Sequence, residues 1–240
     1  MPPEAPVAWI TGAAGGIGRA AVTRLQARGF RVLASDVRES GGGPATVAWL
    51  HCDATDEASV AAAVAGCKAR FGRLDAVIHL AGRVGGGPLA ETTLEDWRSV
   101  LEVNLTSAFL VARAAHGLLK AAACGRLVLM SSTNGLTGGS ALSGPAYATA
   151  KAGLINLTRY LAREWSRDGI RVNCVAPGPV DTPMLARLDQ ATVHQLADAT
   201  LLGRLATADD VAAVIEHLCS GAADFLTGTV HNVSGGLVLD

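Results

Sequence analysis

Val7-Ala8-Trp9-Ile10-Thr11-Gly12-Ala13-Ala14-Gly15-Gly16-Ile17-Gly18 is the stretch from which the fold can be read. A short apolar run that ends in a glycine cluster has the profile of a buried strand. Residues 16–28 then place Ile17, Ala20, Ala21, Val22 and Leu25 at helical spacing, and Gly29 stops them. The glycines therefore occupy a strand-to-helix turn. Without a Cβ the chain can turn tightly there and a phosphate can approach the backbone. The helix N-terminus adds unpaired N–H groups and about half a positive charge. The spacing is neither the GxGxxG dinucleotide fingerprint nor a P-loop, and a tight turn without a ligand is the plainer alternative.

The alternation continues outward from this unit. Strands are predicted at 31–35, 46–52, 75–80, 127–130, 170–175 and 229–233, and helices at 58–71, 94–123, 147–167 and 208–219. Residues 177–206 have weak periodicity and several prolines, which predicts a loop, with a small substrate lid near 179–205. The glycine run Gly41-Gly42-Gly43-Pro44 reads as a surface turn. Strands that alternate with helices imply one α/β domain over residues 1–240, a doubly wound parallel sheet of seven strands with helices on both faces. Ligands in such a sheet bind at the carboxyl ends of the strands.

Composition narrows the function classes. A net charge of -1 lacks the basic excess that phosphate-backbone binding needs, so neither nucleic acid nor a membrane surface is expected as partner. No apolar stretch reaches membrane-spanning length. The opening Met-Pro-Pro-Glu-Ala-Pro has no basic or apolar leader, and the five cysteines form no CxxC pair. A cytoplasmic protein with reduced thiols and no metal site is the expectation.

Two further features carry chemistry. Asp36 ends the second strand, 18 residues after Gly18, close to the offset expected for a carboxylate that binds an adenosine ribose. A carboxylate accepts from ribose hydroxyls and repels a 2′-phosphate, which favours NAD over NADP. The chain also has only two tyrosines and three lysines, and they meet once, in Tyr147-Ala-Thr-Ala-Lys151 at a helix start. Residues four apart share a helix face. Hydride transfer to or from an alcohol also moves a hydroxyl proton, and a lysine beside a tyrosine can lower a phenol pKa that is otherwise too high for a base near neutral pH.

With Asn104 in Val103-Asn104-Leu105, the serines of Met130-Ser131-Ser132, Pro177-Gly178 and Gly235-Gly236, the chain resembles the short, single-domain short-chain dehydrogenases/reductases over nearly its whole length. The resemblance implies a Rossmann-like, nicotinamide-dependent homotetramer that interconverts a secondary alcohol and a ketone. It implies a tetrad of Asn104, Ser132, Tyr147 and Lys151, with Tyr147 as acid/base, Ser132 on the substrate oxygen, Lys151 on the nicotinamide ribose and Asn104 holding a water. It places Gly12, Gly16, Ile17 and Gly18 on the pyrophosphate, Asp53 on the adenine, and Ala81 and Gly82 on the adenosine ribose. Pro177, Gly178, Val180 and Thr182 complete the expected cofactor contacts.

Three departures stand out. Leu80 replaces the family's asparagine before Ala81-Gly82. Ser132 stands 15 residues before Tyr147 instead of 13, which lengthens the loop 133–146 and leaves Ser131 as an alternative. The turn also satisfies TGxxGxxG, the pattern of longer epimerase-type relatives, but 240 residues leave no room for their extra domain. A catalytically silent redox sensor is the competing function. Substrate residues are expected from Arg83, the loop 133–146 and the lid, a mixture that suits a polyol, a hydroxy acid, a 3-oxoacyl group or a steroid. A second apolar side on helices 94–123 and 147–167 predicts a twofold interface. A strand beyond Gly235-Gly236 would form another.

Overall fold

The structure, a computed structural model, describes residues 5–38 and 46–239, so the turn expected at Gly41–Pro44 lies outside the described residues. All five residues of β1 (Val7–Thr11) are buried. Period-two alternation sends Val7 and Trp9 into one core and Ala8 and Ile10 into the other. The remaining strands are β2 (Arg31–Asp36), β3 (Val47–His51), β4 (Ala76–His79), β5 (Arg126–Met130), β6 (Arg171–Pro177), β7 (Val180–Asp181), β8 (Ala206–Thr207) and β9 (Val230–Val233). Seven of them form one parallel sheet in the order β3-β2-β1-β4-β5-β6-β9, and β7 pairs with β8 beside it. Trp9 is in register with Leu33 on one side and Val77 on the other. The order reverses between β1 and β4, so the ligand crevice opens above Thr11 and His79.

Helices α1 (Gly16–Ala27) and α8 (Ala208–Leu218) cover one face, packing Val22, Leu25, Val211 and Ile215 against Ile10 and Ile78. On the other face lie α2 (Glu57–Phe71), α4 (Ser107–Ala121) and α6 (Pro145–Glu164), with Val60, Val111 and Leu154 against Trp9 and Leu127. The single helix expected at 94–123 is instead three pieces: α3 (Leu94–Leu101), a π-helical turn (Glu102–Thr106) and α4. Wider i→i+5 turns of this kind concentrate at functional sites, and this one carries Asn104.

After β5 a short helix, α5 (Thr133–Thr137), leads into the lengthened loop. The region expected as a lid contains α7 (Gln190–Asp198), none of whose residues is buried. The expected C-terminal strand is absent. Gly235 and Gly236 both take positive φ, the tail turns back, and the Val238 N–H donates to Ser234 Oγ at 3.3 Å. Among the described residues no helix is long and apolar enough to cross a membrane, and no cluster of three metal-ligating side chains occurs. All five cysteines are unpaired.

Candidate active site

The glycine turn is a cradle because neighbouring groups fill the space that side chains would need. A Cβ on Gly12 (φ 65°) would stand 2.7 Å from the Ala81 backbone N, and one on Gly16 would stand 2.7 Å from Thr182 Cγ2. One on Gly18 would run into the Gly12 carbonyl. No side chain caps α1, which leaves the N–H groups of Gly16, Ile17 and Gly18 aimed at the crevice. The fold thus brings Gly12, Gly16, Gly18, Ala81, Gly82 and Thr182 to one place. Ile17 packs into the core below, as does the Val180 side chain, which leaves Val180 only its backbone for a ligand. Pro177 and Gly178 end β6, with the Gly178 N–H bonded to the Val233 carbonyl at 3.0 Å.

Asp36 is buried and fully engaged. Its Oδ2 accepts from the Ala14 N–H at 3.1 Å, inside the glycine turn, and from Arg38 Nη2 at 3.2 Å. Its Oδ1 accepts from the Arg38 N–H and Nε, each at 3.0 Å. Burial pushes the carboxyl up, but the Arg38 and Ala14 hydrogen bonds outweigh it and hold the group below its usual range. The Arg38 side chain is largely exposed, so its ion pair opens at small cost and frees lone pairs for ribose hydroxyls. Asp53 instead turns its carboxylate onto Thr55, accepting from N at 2.9 Å and Oγ1 at 2.7 Å.

Around Tyr147 the two serines separate. Ser131 Oγ donates to the Lys151 carbonyl at 2.7 Å and ties β5 to α6. Ser132 caps α5, accepts from the Asn134 N–H at 3.2 Å, and meets the Tyr147 hydroxyl. Strand alternation sends only the second serine to the mouth. Lys151 is buried, its Nζ donating to the Met130 carbonyl at 2.8 Å and lying 5.3 Å from the Tyr147 ring centroid. Asn104 Nδ2 donates to the carbonyls of Arg83 (2.8 Å) and Val100 (2.9 Å), while its buried Oδ1 has no partner. A Cβ on Gly82 would come within 2.7 Å of that oxygen and 3.5 Å of Lys151 Nζ. An orphaned buried acceptor is what a water-holding asparagine requires.

The electrostatics depart from the sequence expectation. Burial raises the Tyr147 pKa and outweighs the opposing effects of Ser132 and the Arg187 charge. Burial also pushes Lys151 down to about 8. Lys151 Nζ lies over the face of the phenol ring, and in the free protein burial sets the direction for Tyr147.

His79 escapes a reading of the sequence, where one histidine in an apolar strand looks like core filler. Its Nδ1 lies 2.9 Å from Thr11 Oγ1 and its Nε2 lies 3.0 Å from Ser107 Oγ. Ser107 donates its own proton to the Val103 carbonyl at 2.6 Å, so it must accept from Nε2–H. Thr11 then donates to Nδ1 and accepts from the Leu80 N–H at 3.3 Å. This one-way chain ties the start of the glycine turn to the π-helical turn, next to the position where Leu80 cannot hydrogen-bond through its side chain. Burial, with the Lys151 charge nearby, pushes His79 from 6.5 down to about 3. The folded state therefore binds fewer protons than the unfolded state between those values, and stability falls as pH falls through that window. From this group alone the loss between pH 7 and pH 5 should be about 2 kcal/mol. Urea midpoints at the two pH values check it: the loss should shrink by that amount in His79→Asn, and an unchanged loss would contradict a neutral buried imidazole.

The walls of the mouth come from three segments. Val84, Trp97 and Val100 pack with the Tyr147 ring. The lengthened loop closes backbone to backbone on a second glycine loop: the Gly87 N–H donates to the Ala141 carbonyl at 2.9 Å, and a Cβ on Gly144 (φ 74°) would stand 2.8 Å from the Gly86 N. From the lid, Arg187 Nη2 donates to the Leu142 carbonyl at 2.6 Å.

Comparison with known proteins agrees with this geometry. A family profile described as enoyl-(acyl carrier protein) reductase matches residues 12–238. The chain is 40% identical over 239 residues to cis-4-hydroxycyclohexanecarboxylate dehydrogenase of Sinomonas cyclohexanicum, covering 96% of this chain and 95% of that one. It is 33% identical to the 3-oxoacyl-acyl-carrier-protein reductase of Salmonella typhimurium, covering 98% of each. Its fold superposes on the aldohexose dehydrogenase of Thermoplasma acidophilum with a TM-score of 0.91 at 25% identity, covering 97% of this chain and 94% of that one. With the profile matched almost end to end and the glycine cradle leading to a Ser132–Tyr147–Lys151 cluster, the chain belongs to the short-chain dehydrogenase/reductase family of oxidoreductases.

Proposed function

We propose that the protein interconverts a secondary alcohol and a ketone with NAD, using Tyr147 as the acid/base. The observation that carries this reading is the convergence of the Ser132 and Tyr147 hydroxyls, Lys151 Nζ and the unpartnered Asn104 Oδ1 on one crevice beside Gly82. The N–H groups of Gly16, Ile17 and Gly18 would hold the pyrophosphate, with Gly12, Ala81, Gly82 and Thr182 shaping its path. Asp36 would hold the adenosine ribose, Lys151 the nicotinamide ribose, and the Pro177–Val180 backbone would line the nicotinamide end. Asp53 would close the adenine side through the turn it holds with Thr55. When bound, the nicotinamide ring supplies the hydride acceptor or donor.

The chain itself manages the proton. The Ser132 hydroxyl fixes the substrate oxygen against Tyr147. For reduction the buried phenol donates as it stands. For oxidation it must first lose its proton, and with burial opposing this, the base form needs added positive charge nearby. The Lys151 ammonium, held on the Met130 carbonyl, supplies part of that charge, and the proton that leaves Tyr147 passes into the crevice. A water on Asn104 Oδ1 would carry it outward. The test is NADH formation from a panel of polyols, hydroxy acids, cyclic alcohols and steroids at alkaline pH. A protein that binds NAD and turns over none of these, nor their ketones in reverse, would be a redox sensor.

Within secondary alcohols, the 40% identity to a dehydrogenase of a hydroxycyclohexanecarboxylate and the apolar wall of Val84, Trp97 and Val100 favour a compact cyclic substrate. The unpaired thiols are consistent with a cytoplasmic setting. The first twofold of a homotetramer is supported by the groove of about 420 Å³ between α4 and α6, where Phe109 and Tyr160 stay exposed beside half-buried Leu105 and Leu157, while the strand expected to make the second interface does not form. Leu110, Val111, Leu154 and Trp165, expected to contribute to a second apolar side, are buried within the chain, so the free surface is narrower than the sequence implies. Light scattering that gives the 24.4 kDa of one chain would contradict assembly.

A further inference from the structure

Arg187 is placed in a way the chemistry above does not use. It follows the 3-10 turn Pro183–Leu185 on the lid, and among the described residues its side chain makes one hydrogen bond, to the Leu142 carbonyl on the opposite loop. That bond holds the guanidinium across the mouth, between the two segments that wall the substrate. Only one of its five N–H donors is engaged, and among the described residues no carboxylate pairs with it. Arg24, Arg38, Arg73, Arg126 and Arg204, by contrast, all lie against carboxylates. Arg187 also stands near enough to the reacting group for its charge to act on the Tyr147 phenol. Beside the tyrosine ring, Val84, Trp97 and Val100 give the site an apolar wall.

We propose that Arg187 is a specificity-determining residue that selects a substrate bearing a carboxylate on the far side of an apolar body from the reacting carbinol. This rests on the secondary-alcohol reading above and names the class within it. A guanidinium presents a planar fork that matches a carboxylate with two parallel hydrogen bonds. A molecule with its hydroxyl on Ser132 and Tyr147 crosses the apolar wall and meets that fork at the mouth. A neutral polyol would leave the fork unused and lay its hydroxyls against Trp97 and Val100.

The test is calorimetric titration of the NAD-loaded protein with cyclohexanecarboxylate and, as the uncharged match, cyclohexanecarboxamide. The carboxylate should bind at least tenfold more tightly to the wild type. Arg187→Met should erase that ratio by weakening the carboxylate alone, and Arg187→Lys should keep part of it. NAD affinity should stay the same in all three, and Arg83→Met should retain the preference. No preference in the wild type, a preference that survives Arg187→Met, or one lost in Arg83→Met instead would overturn the assignment. So would a parallel fall in NAD affinity, which would place Arg187 on the cofactor. An intact carboxylate preference without NADH formation from 4-hydroxycyclohexanecarboxylate or any other alcohol would uphold the anion site and overturn the dehydrogenase reading.

Discussion

Replacing Tyr147 with phenylalanine should lower kcat for alcohol oxidation by about 10³–10⁴-fold while NAD affinity stays within about twofold, the range expected for loss of a general acid/base. Only Oη is removed. The ring keeps its packing on Val100 and Ala146, with Val84 and Trp97 alongside. Lys151 keeps its bond to the Met130 carbonyl and remains available to the ribose. Ser132 stays in place, its hydroxyl still capping α5. Steady-state rates paired with a fluorescence titration of NAD separate the two effects. Substantial turnover in the phenylalanine variant would mean that the proton leaves by another route.

The second large effect concerns the cofactor. The wild type should prefer NAD over NADP, and Asp36→Asn should shift the ratio of kcat/KM values toward NADP by roughly 10²-fold or more. Two effects act together. A carboxylate and one phosphate charge about 4 Å apart repel by about 4 kcal/mol at an effective dielectric of 20, a value that exposure and Arg38 reduce. The substitution removes that repulsion. It also releases Arg38, now held by Asp36 through three hydrogen bonds, to meet a 2′-phosphate. Asparagine retains an oxygen for the Ala14 N–H, so the glycine turn keeps its anchor. A wild type that uses NADP as well as NAD would refute the role given to Asp36.

Strands were the most legible part of the sequence, because a strand buried on both faces is a short apolar run with punctuated ends. Val7–Thr11 begins and ends where the pattern says. Breaks within helices were not legible. The π-helical turn at Glu102–Thr106 needs neither glycine nor proline, so nothing marks it inside an apolar stretch. Helix α7 was hidden because its residues are only partly buried or exposed, which blurs the periodic stripe. The catalytic pattern stood out because tyrosine and lysine are rare in this chain. The choice between Ser131 and Ser132 needed the direction of each side chain at the end of β5. The two added loop residues fit because Gly144 lies against the backbone of Gly86. His79, Arg38 and Arg187 act through partners distant in sequence or through exposed ion pairs, and no local pattern announces either.

The chain of hydrogen bonds from Leu80 through Thr11, His79 and Ser107 to Val103 also couples the substitutions these positions can accept. Each hydroxyl and ring nitrogen in it depends on the next for its direction, so the set works only when complete. Exchanging His79 for a shorter side chain would cost Thr11 its acceptor and Ser107 its donor at once, with no polar side chain at Leu80 to replace either. Position 79 is therefore tied to residues 11 and 107, and a change accepted at one of the three calls for a matching change at the others.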